Sequence, residues 1–215
     1  MEGSKHADAG RDARLSASRP PGVYYELFFE KKVQPAFQTG VPVFVGFAKL
    51  RNQERQHATR IHHLDRWPQF QRFETASQNY LSYAVRGFFE NGGEHCVVIP
   101  VESMQKGDAA EVLTNIFRPG GVLDDLEDID LVCIPDAMAP DIRSNYQAVQ
   151  DIQAGALEHC RRMGDRFAIL DGFRGREDDN RKPSAQKGAL TGSAISHWQA
   201  LPPECGALYY PWVSV

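Results

Sequence analysis

From residue 41 onward, short apolar runs alternate along the chain with segments of helical periodicity. Five runs are almost continuously apolar, which is typical of strands buried on both faces of a sheet. They are Val41–Phe47, Cys96–Val101, Ile129–Ile134, Phe167–Leu170 and Ala207–Val213.

The segments between these runs predict helices, because their apolar residues recur on one face. Capping-box residues and glycine stops set the expected ends of these helices. The predicted helices are one opened by the capping box Thr75–Gln78 and stopped by Gly92-Gly93, one opened by Asp108 and ended at Pro119, one over about 142–163 that stops at Gly164, and a shorter one near 189–200.

This alternation of strands and helices predicts an α/β fold. We expect a mainly parallel sheet of about five strands, with helices on its faces and right-handed crossovers. Two polar insertions, Arg51–Arg66 and Arg174–Lys187, interrupt the pattern. Their charge suits neither a strand nor a core helix, so both are predicted to be solvated loops.

The N-terminal segment has a different character from the rest of the chain. Residues 1–21 are small, polar and unpatterned, which predicts a disordered arm. Residues 22–34 are predicted to form an extended linker strand ahead of a core domain at 35–215. Such a strand must pair with its own sheet or with another subunit, and the sequence leaves both outcomes open. The residues that make up this predicted strand are Val23, Tyr24, Tyr25, Glu26, Leu27, Phe28 and Phe29.

Composition narrows the class of partner. The 215 residues are 42% hydrophobic and carry a net charge of −4, which suits a globular protein and argues against nucleic acid as the main partner. The sequence has no apolar segment long enough to span a membrane and no signal-peptide pattern. We therefore expect a cytoplasmic protein that does not insert into a membrane. The four dispersed cysteines are expected to be buried, reduced thiols that behave as small hydrophobic side chains.

Candidate catalytic groups are few. Asp136 and Asp171 follow two predicted strands, at the sheet edge where parallel α/β proteins bind ligands. The two carboxylates could hold a metal or act in acid–base chemistry, and the favoured alternative is that each caps a turn or a following helix. The sequence lacks GxGxxG, GxxxxGK[ST] and GxSxG motifs.

Histidines give the remaining candidates. His62-His63 lies in a polar insertion without spaced ligands nearby, so it is predicted to be exposed and without a role. His95 and Cys96 are neighbours on a predicted strand and should point to opposite faces, so they are not expected to act as a base and nucleophile pair.

Six segments in order resemble the contractile tail sheath proteins of phages and injection machines. The stretch from Tyr80 to Val101, YLSYAVRGFFENGGEHCVVIPV, is the most specific of them. The resemblance covers about residues 22–215. The other segments are Pro21–Glu26, Val41–Ala48, Asp130–Asp136, Gly164–Gly172 and Ala207–Val213.

The resemblance implies a structural subunit rather than an enzyme, with no cofactor. Sheath subunits polymerise around an inner tube, laced together by extended terminal strands, and their contraction drives the tube through a target envelope. The implied partners are other sheath subunits, or a longer sheath paralogue, with the tube and baseplate proteins of a tail or injection particle. On this interpretation Val23–Phe29 is the lacing strand.

Sheath chains continue beyond a segment like ALYYPWV into a C-terminal domain. From the resemblance we expect this chain to lack that domain. Two alternatives therefore remain. One is a sheath-related capping or adaptor protein of the same machine. The other is a small α/β enzyme with a carboxylate site at Asp136 and Asp171.

Overall fold

A computed structural model describes residues 39–51, 61–102, 108–173, 194–203, 205–210 and 212. They belong to one compact unit, residues 37–215. The predicted arm, the linker strand Val23–Phe29 and the insertion Arg174–Lys187 lie outside the described residues, so these predictions remain predictions.

Six strands of the described residues form one sheet, in the order β3-β5-β1-β6-β7-β8. Five of them are mutually parallel. Each lies within or overlaps one of the predicted apolar runs, which confirms the predicted parallel α/β fold. These strands are β1 (Pro42–Phe47), β5 (Cys96–Val101), β6 (Leu131–Cys133), β7 (Phe167–Asp171) and β8 (Gly206–Tyr209).

The sixth strand corrects the prediction for the first insertion. Strand β3 (His62–Leu64) lies inside Arg51–Arg66, which was predicted to be a solvated loop, and pairs antiparallel with β5. Leu64 is its one fully buried side chain, and pairing with β5 sets its register. Three residues are too short for a period-2 pattern to stand out in a polar segment.

A small two-stranded sheet lies beside this region. It pairs β2 (Lys49–Leu50) antiparallel with β4 (Phe73–Glu74). A 3-10 helix over Trp67–Arg72 runs into β4, and its buried Phe70 packs in the same cluster as Phe73. These elements carry the chain from β1 to the first helix.

The helices follow the predicted order, with one wrong start. The capping box predicted a first helix from Thr75, whereas α1 (Leu81–Glu90) begins six residues later. The predicted third helix consists of a short α3 (Pro140–Arg143) and a long α4 (Tyr146–Met163), which ends at Gly164 with a φ of +76°. Glycine is favoured in this left-handed conformation because it has no Cβ. The other helices are α2 (Ala109–Asn115) and α5 (residues 194–199).

The core has two layers, one on each face of the sheet. Val43 and Val45 of β1 pack in a cluster that includes residues of α2 and α4, whereas Phe44 packs in a second cluster with residues of α1. This alternation explains why the β1 sequence is continuously apolar. Among the described residues, no helix combines the length and the apolar character needed to cross a bilayer.

Candidate functional site

Asp136 is fully buried beyond the carboxyl end of β6, in a 3-10 helix over Pro135–Met138. Its Oδ1 accepts hydrogen bonds from the backbone N–H groups of Tyr80 at 2.6 Å and Leu81 at 3.0 Å, and its Oδ2 accepts one from Phe47 at 2.6 Å. Tyr80 is the N-cap residue of α1 and makes no side-chain cap of its own. Asp136 therefore caps α1 from more than fifty residues along the chain.

This environment suits a structural carboxylate. Burial raises the pKa of the Asp136 carboxyl above its usual range, and the three backbone N–H donors oppose that rise. Gly46 leaves the space that the carboxylate occupies, because a Cβ at residue 46 would lie 2.7 Å from Asp136 Oδ2. Both oxygens accept hydrogen bonds from the backbone, so Asp136 caps a helix, but that helix is the earlier α1 and not a following one as predicted.

Asp171 ends β7 at the same edge and belongs to a second buried network. Its backbone oxygen accepts a hydrogen bond from Gln153 Nε2 at 2.8 Å, and Gln153 Oε1 lies 2.7 Å from Nε2 of the buried His197. Because the amide of Gln153 donates to Asp171, its oxygen must accept from His197. Burial raises the pKa of the Asp171 carboxyl and lowers that of His197 to about 4.

Neither Asp136 nor Asp171 belongs to a candidate metal cluster in the part of the chain that the structure describes. Among the described residues, one group of at least three His, Cys, Asp or Glu side chains brings its ligand atoms within metal-binding range, and it contains neither Asp136 nor Asp171. This group consists of His63, His95 and Asp128. It lies at the opposite edge of the sheet.

The histidine cluster is built by segments that meet at the amino ends of parallel strands. His95 immediately precedes β5, and Asp128 lies in the loop before β6. Strand β3 runs antiparallel, so its C-terminal end reaches the same edge, where His63 pairs in register with Val97. The rings of His63 and His95 are stacked, with centroids 5.5 Å apart and Nδ1 of His63 3.4 Å from Nε2 of His95.

Two carboxylates flank these rings. Asp65 Oδ1 lies 2.7 Å from His95 Nδ1, and Asp128 Oδ2 lies 3.7 Å from His63 Nδ1. The side chain of His95 is 18% exposed, whereas those of His63 and Asp128 are 47% and 58% exposed. The cluster thus combines one well-packed imidazole with two groups that solvent reaches freely.

The adjacent His62 points to the other face. Its ring lies edge-on against Phe73, with centroids 5.0 Å apart and planes at 84°. The predicted separation of His95 and Cys96 is likewise confirmed, since Cys96 is fully buried. The sequence prediction assigned no role to His63 or His95, because residues thirty positions apart show no ligand spacing along the chain.

Two of the four cysteines are fully buried, whereas burial was predicted for all of them. Cys96 and Cys160 are fully buried, and Cys133 and Cys205 are partly exposed. Burial is the main cause that raises the pKa of Cys96, Cys133 and Cys160 to about 12. Their thiolate forms are therefore scarce at neutral pH, which makes them poor nucleophiles.

Comparison with known proteins gives structural matches only. No protein-family model and no curated protein sequence matches the chain. A chain in the cryo-EM structure of the anti-feeding prophage (AFP) helical sheath, in its contracted state, is 21% identical with a TM-score of 0.50. The match covers 91% of this chain and 46% of that chain.

A chain in the 6-fold symmetrised AFP baseplate structure is also 21% identical, with a TM-score of 0.50. That match covers 93% of this chain and 48% of the baseplate chain. A chain of the contracted sheath complex of PVC, an extracellular contractile injection system, is 19% identical with a TM-score of 0.43. The chain spans about half the length of the solved chains it matches. At this level of identity the similarity establishes the fold, and that fold is sheath-like.

Proposed function

We propose that this chain is a structural subunit of a contractile injection machine, with the role of a sheath protein rather than of an enzyme. The observation that carries the proposal is the sheath-like fold, which extends over about nine-tenths of the chain. The buried, hydrogen-bonded state of Asp136 also favours a structural role over the carboxylate enzyme. On this proposal the subunit polymerises around an inner tube, and contraction drives that tube through a target envelope.

The proposed lacing element is the segment Val23–Phe29. Its aromatic and β-branched residues suit addition as an extra strand to a neighbouring subunit's sheet. Strands β3 and β8 end the sheet within the described residues, and such edges have backbone groups that can accept a further strand. The partners would be other sheath subunits, with tube and baseplate proteins, and assembly would take place in the cytoplasm before the particle is complete.

Assembly of the purified chain tests this proposal. We expect the full chain to form multimers, alone or with a sheath protein from the same genome, seen by light scattering and electron microscopy. We expect deletion of residues 1–31 to leave a folded monomer, because the six-stranded sheet and the core clusters on its two faces are built by residues 41–209. Deletion of residues 1–19 is the matched control, since it removes the arm and retains Val23–Phe29.

The outcomes separate the alternatives. If the full chain stays monomeric and does not join the sheath protein, the structural proposal is wrong. Equal assembly by both deletion variants would remove the lacing role from Val23–Phe29. If the chain instead joins only sleeve ends and shortens the sleeves, it is a capping protein.

A further inference from the structure

We propose that His63, His95 and Asp128 form a binding site for a divalent metal ion such as Zn²⁺, Ni²⁺ or Cu²⁺. The three side chains come from β3, from the residue before β5 and from the loop before β6. Their ligand atoms all lie within 4.8 Å of one another. A metal at this point would connect three segments that are distant in sequence.

The spacing fits a tetrahedral metal. Zinc–nitrogen bonds of about 2.0–2.1 Å place neighbouring ligand atoms of a tetrahedron about 3.4 Å apart. Nδ1 of His63 lies 3.4 Å from Nε2 of His95 and 3.7 Å from Oδ2 of Asp128. These two separations are close to the spacing of neighbouring ligands on one tetrahedral ion.

Asp65 prepares His95 for this role. Its carboxylate oxygen, 2.7 Å from Nδ1 of His95, fixes the tautomer that has the proton on Nδ1. The lone pair of Nε2 then faces His63 and the proposed metal. Histidine ligands in metal sites characteristically donate the other ring N–H to a carboxylate in this way, so Asp65 is a positioning residue.

Hydrogen bonding alone does not account for the convergence of these groups. The separation of 3.7 Å between His63 and Asp128 is too long for a hydrogen bond, and the 3.4 Å contact between the imidazoles is a weak one. A cation placed between the two ring nitrogens and the carboxylate oxygen would be bound by all three groups at once.

The ligand set also indicates which metal binds. Two imidazoles with a single carboxylate suit zinc, nickel or copper better than magnesium or calcium, which prefer sites made of oxygen ligands. Three protein ligands leave the fourth tetrahedral position to water or to a group from another molecule. The exposure of His63 and Asp128 gives the ion a path from solvent.

Zinc titration of the untagged full chain, stripped with EDTA and dialysed, tests the proposal by calorimetry. We expect saturable binding of one Zn²⁺ per chain, and a tetrahedral visible spectrum when Co²⁺ replaces it. Asp65→Asn should weaken zinc binding about 10-fold or more, as expected for loss of a carboxylate that orients a ligand. His95→Gln and Asp128→Asn, which remove ligands, should weaken it further.

Matched controls are available beside each ligand. His62→Gln removes the neighbouring histidine on the opposite face, and Asp125→Asn removes an exposed aspartate three residues from Asp128. Both should bind zinc like the wild type, and circular dichroism should confirm that every variant is folded. Absence of saturable binding by the wild type would overturn the proposal, as would unchanged affinity in His95→Gln and Asp128→Asn. The test needs no assembly, so its result is independent of the proposed sheath role.

Discussion

Polar side chains at the carboxyl ends and at the amino ends of the parallel strands differ in burial and in hydrogen bonding. These two ends are the carboxyl edge and the amino edge of the sheet. At the carboxyl edge, Asp136 and His197 are fully buried, and hydrogen bonds link them to other segments of the chain. At the amino edge, His63 and Asp128 are about half exposed and make only long contacts to each other. At the first edge polar groups position helices, whereas at the second the ligand atoms make only long contacts with one another.

This difference shows why position in an α/β fold does not by itself identify a functional site. The rule that ligands bind beyond the carboxyl ends of parallel strands points to Asp136 and Asp171. Asp136, however, already accepts hydrogen bonds at both carboxylate oxygens. The groups that retain coordination capacity lie at the other edge, where an antiparallel strand joins the sheet.

The largest expected effect is the loss of the Asp136 carboxylate. In Asp136→Ala three backbone N–H groups lose their acceptor, so the free energy of unfolding should fall by about 3 kcal/mol or more. Urea denaturation measures this change. Asp141→Ala, an exposed aspartate on α3, is the control and should change stability by less than about 0.5 kcal/mol. Equal effects of the two substitutions would show that the buried cap is unimportant.

The second effect is a loss of stability in acid, to which His197 contributes. The pKa of His197 is lowered to about 4 in the folded protein from 6.5, so the unfolded chain binds its proton more readily. The contribution of neutral His197 to the free energy of unfolding is therefore fully present above about pH 6.5, and it is lost as the pH falls toward 4. At about 1.4 kcal/mol per pKa unit, this loss reaches about 3 kcal/mol.

Unfolding free energies at pH 7, 6 and 5 measure that dependence. His197→Gln should flatten the slope, while His63→Gln, at the exposed edge, serves as the comparison variant. Part of the slope should persist, because burial also lowers the pKa of His159 to about 4. A slope in His197→Gln equal to that of the wild type would contradict the assignment.

A smaller effect is expected from filling the space beside Asp136. In Gly46→Ala the new Cβ would meet Asp136 Oδ2 at 2.7 Å and Leu81 Cβ at 2.9 Å, so stability should fall by about 1–3 kcal/mol. Gly87→Ala is the matched control. Nothing lies within 4 Å of a Cβ there, and alanine favours a helix, so stability should rise by up to about 1 kcal/mol. Thermal unfolding of both variants measures the two changes. A similar change in both would mean that the close contact with Asp136 is not the cause.

The smallest effect is expected at the amino edge without metal. In EDTA, His63→Gln and Asp128→Asn should each change the unfolding free energy by no more than about 0.5 kcal/mol, because both side chains are about half exposed. Zinc at 100 times its Kd should then stabilise the wild type by about 2.7 kcal/mol and both variants much less. A large loss in EDTA would mean that these side chains have a structural role like that of Asp136.

The strands of this fold were largely predictable, because burial on both faces makes a continuous apolar run. The five parallel strands and the long helix ending at Gly164 all follow from local patterns. Strand β3 was missed, since only Leu64 of its three residues is fully buried. Its register depends on pairing with β5, which no local pattern contains.

The polar sites were less predictable, since their partners are remote in sequence. The capping box at Thr75 satisfied a local rule, yet α1 begins at Leu81 and is capped by Asp136. The histidine cluster likewise joins residues 63, 95 and 128 through sheet topology. Hydrogen bonds and ligand sets of this kind depend on which strands become neighbours.

The central position of β1 has a consequence for synthesis. Among the described strands β1 comes first in the sequence, and it lies between β5 and β6 in the sheet. Its parallel partner nearer along the chain pairs Val43 with Val97, fifty-four residues later. A growing chain therefore exposes the apolar segment PVFVGF until much of the domain has emerged. Non-local pairing of this kind folds slowly and favours aggregation at intermediate stages. Chaperone demand should accordingly be highest early in translation, before β5 can cover β1.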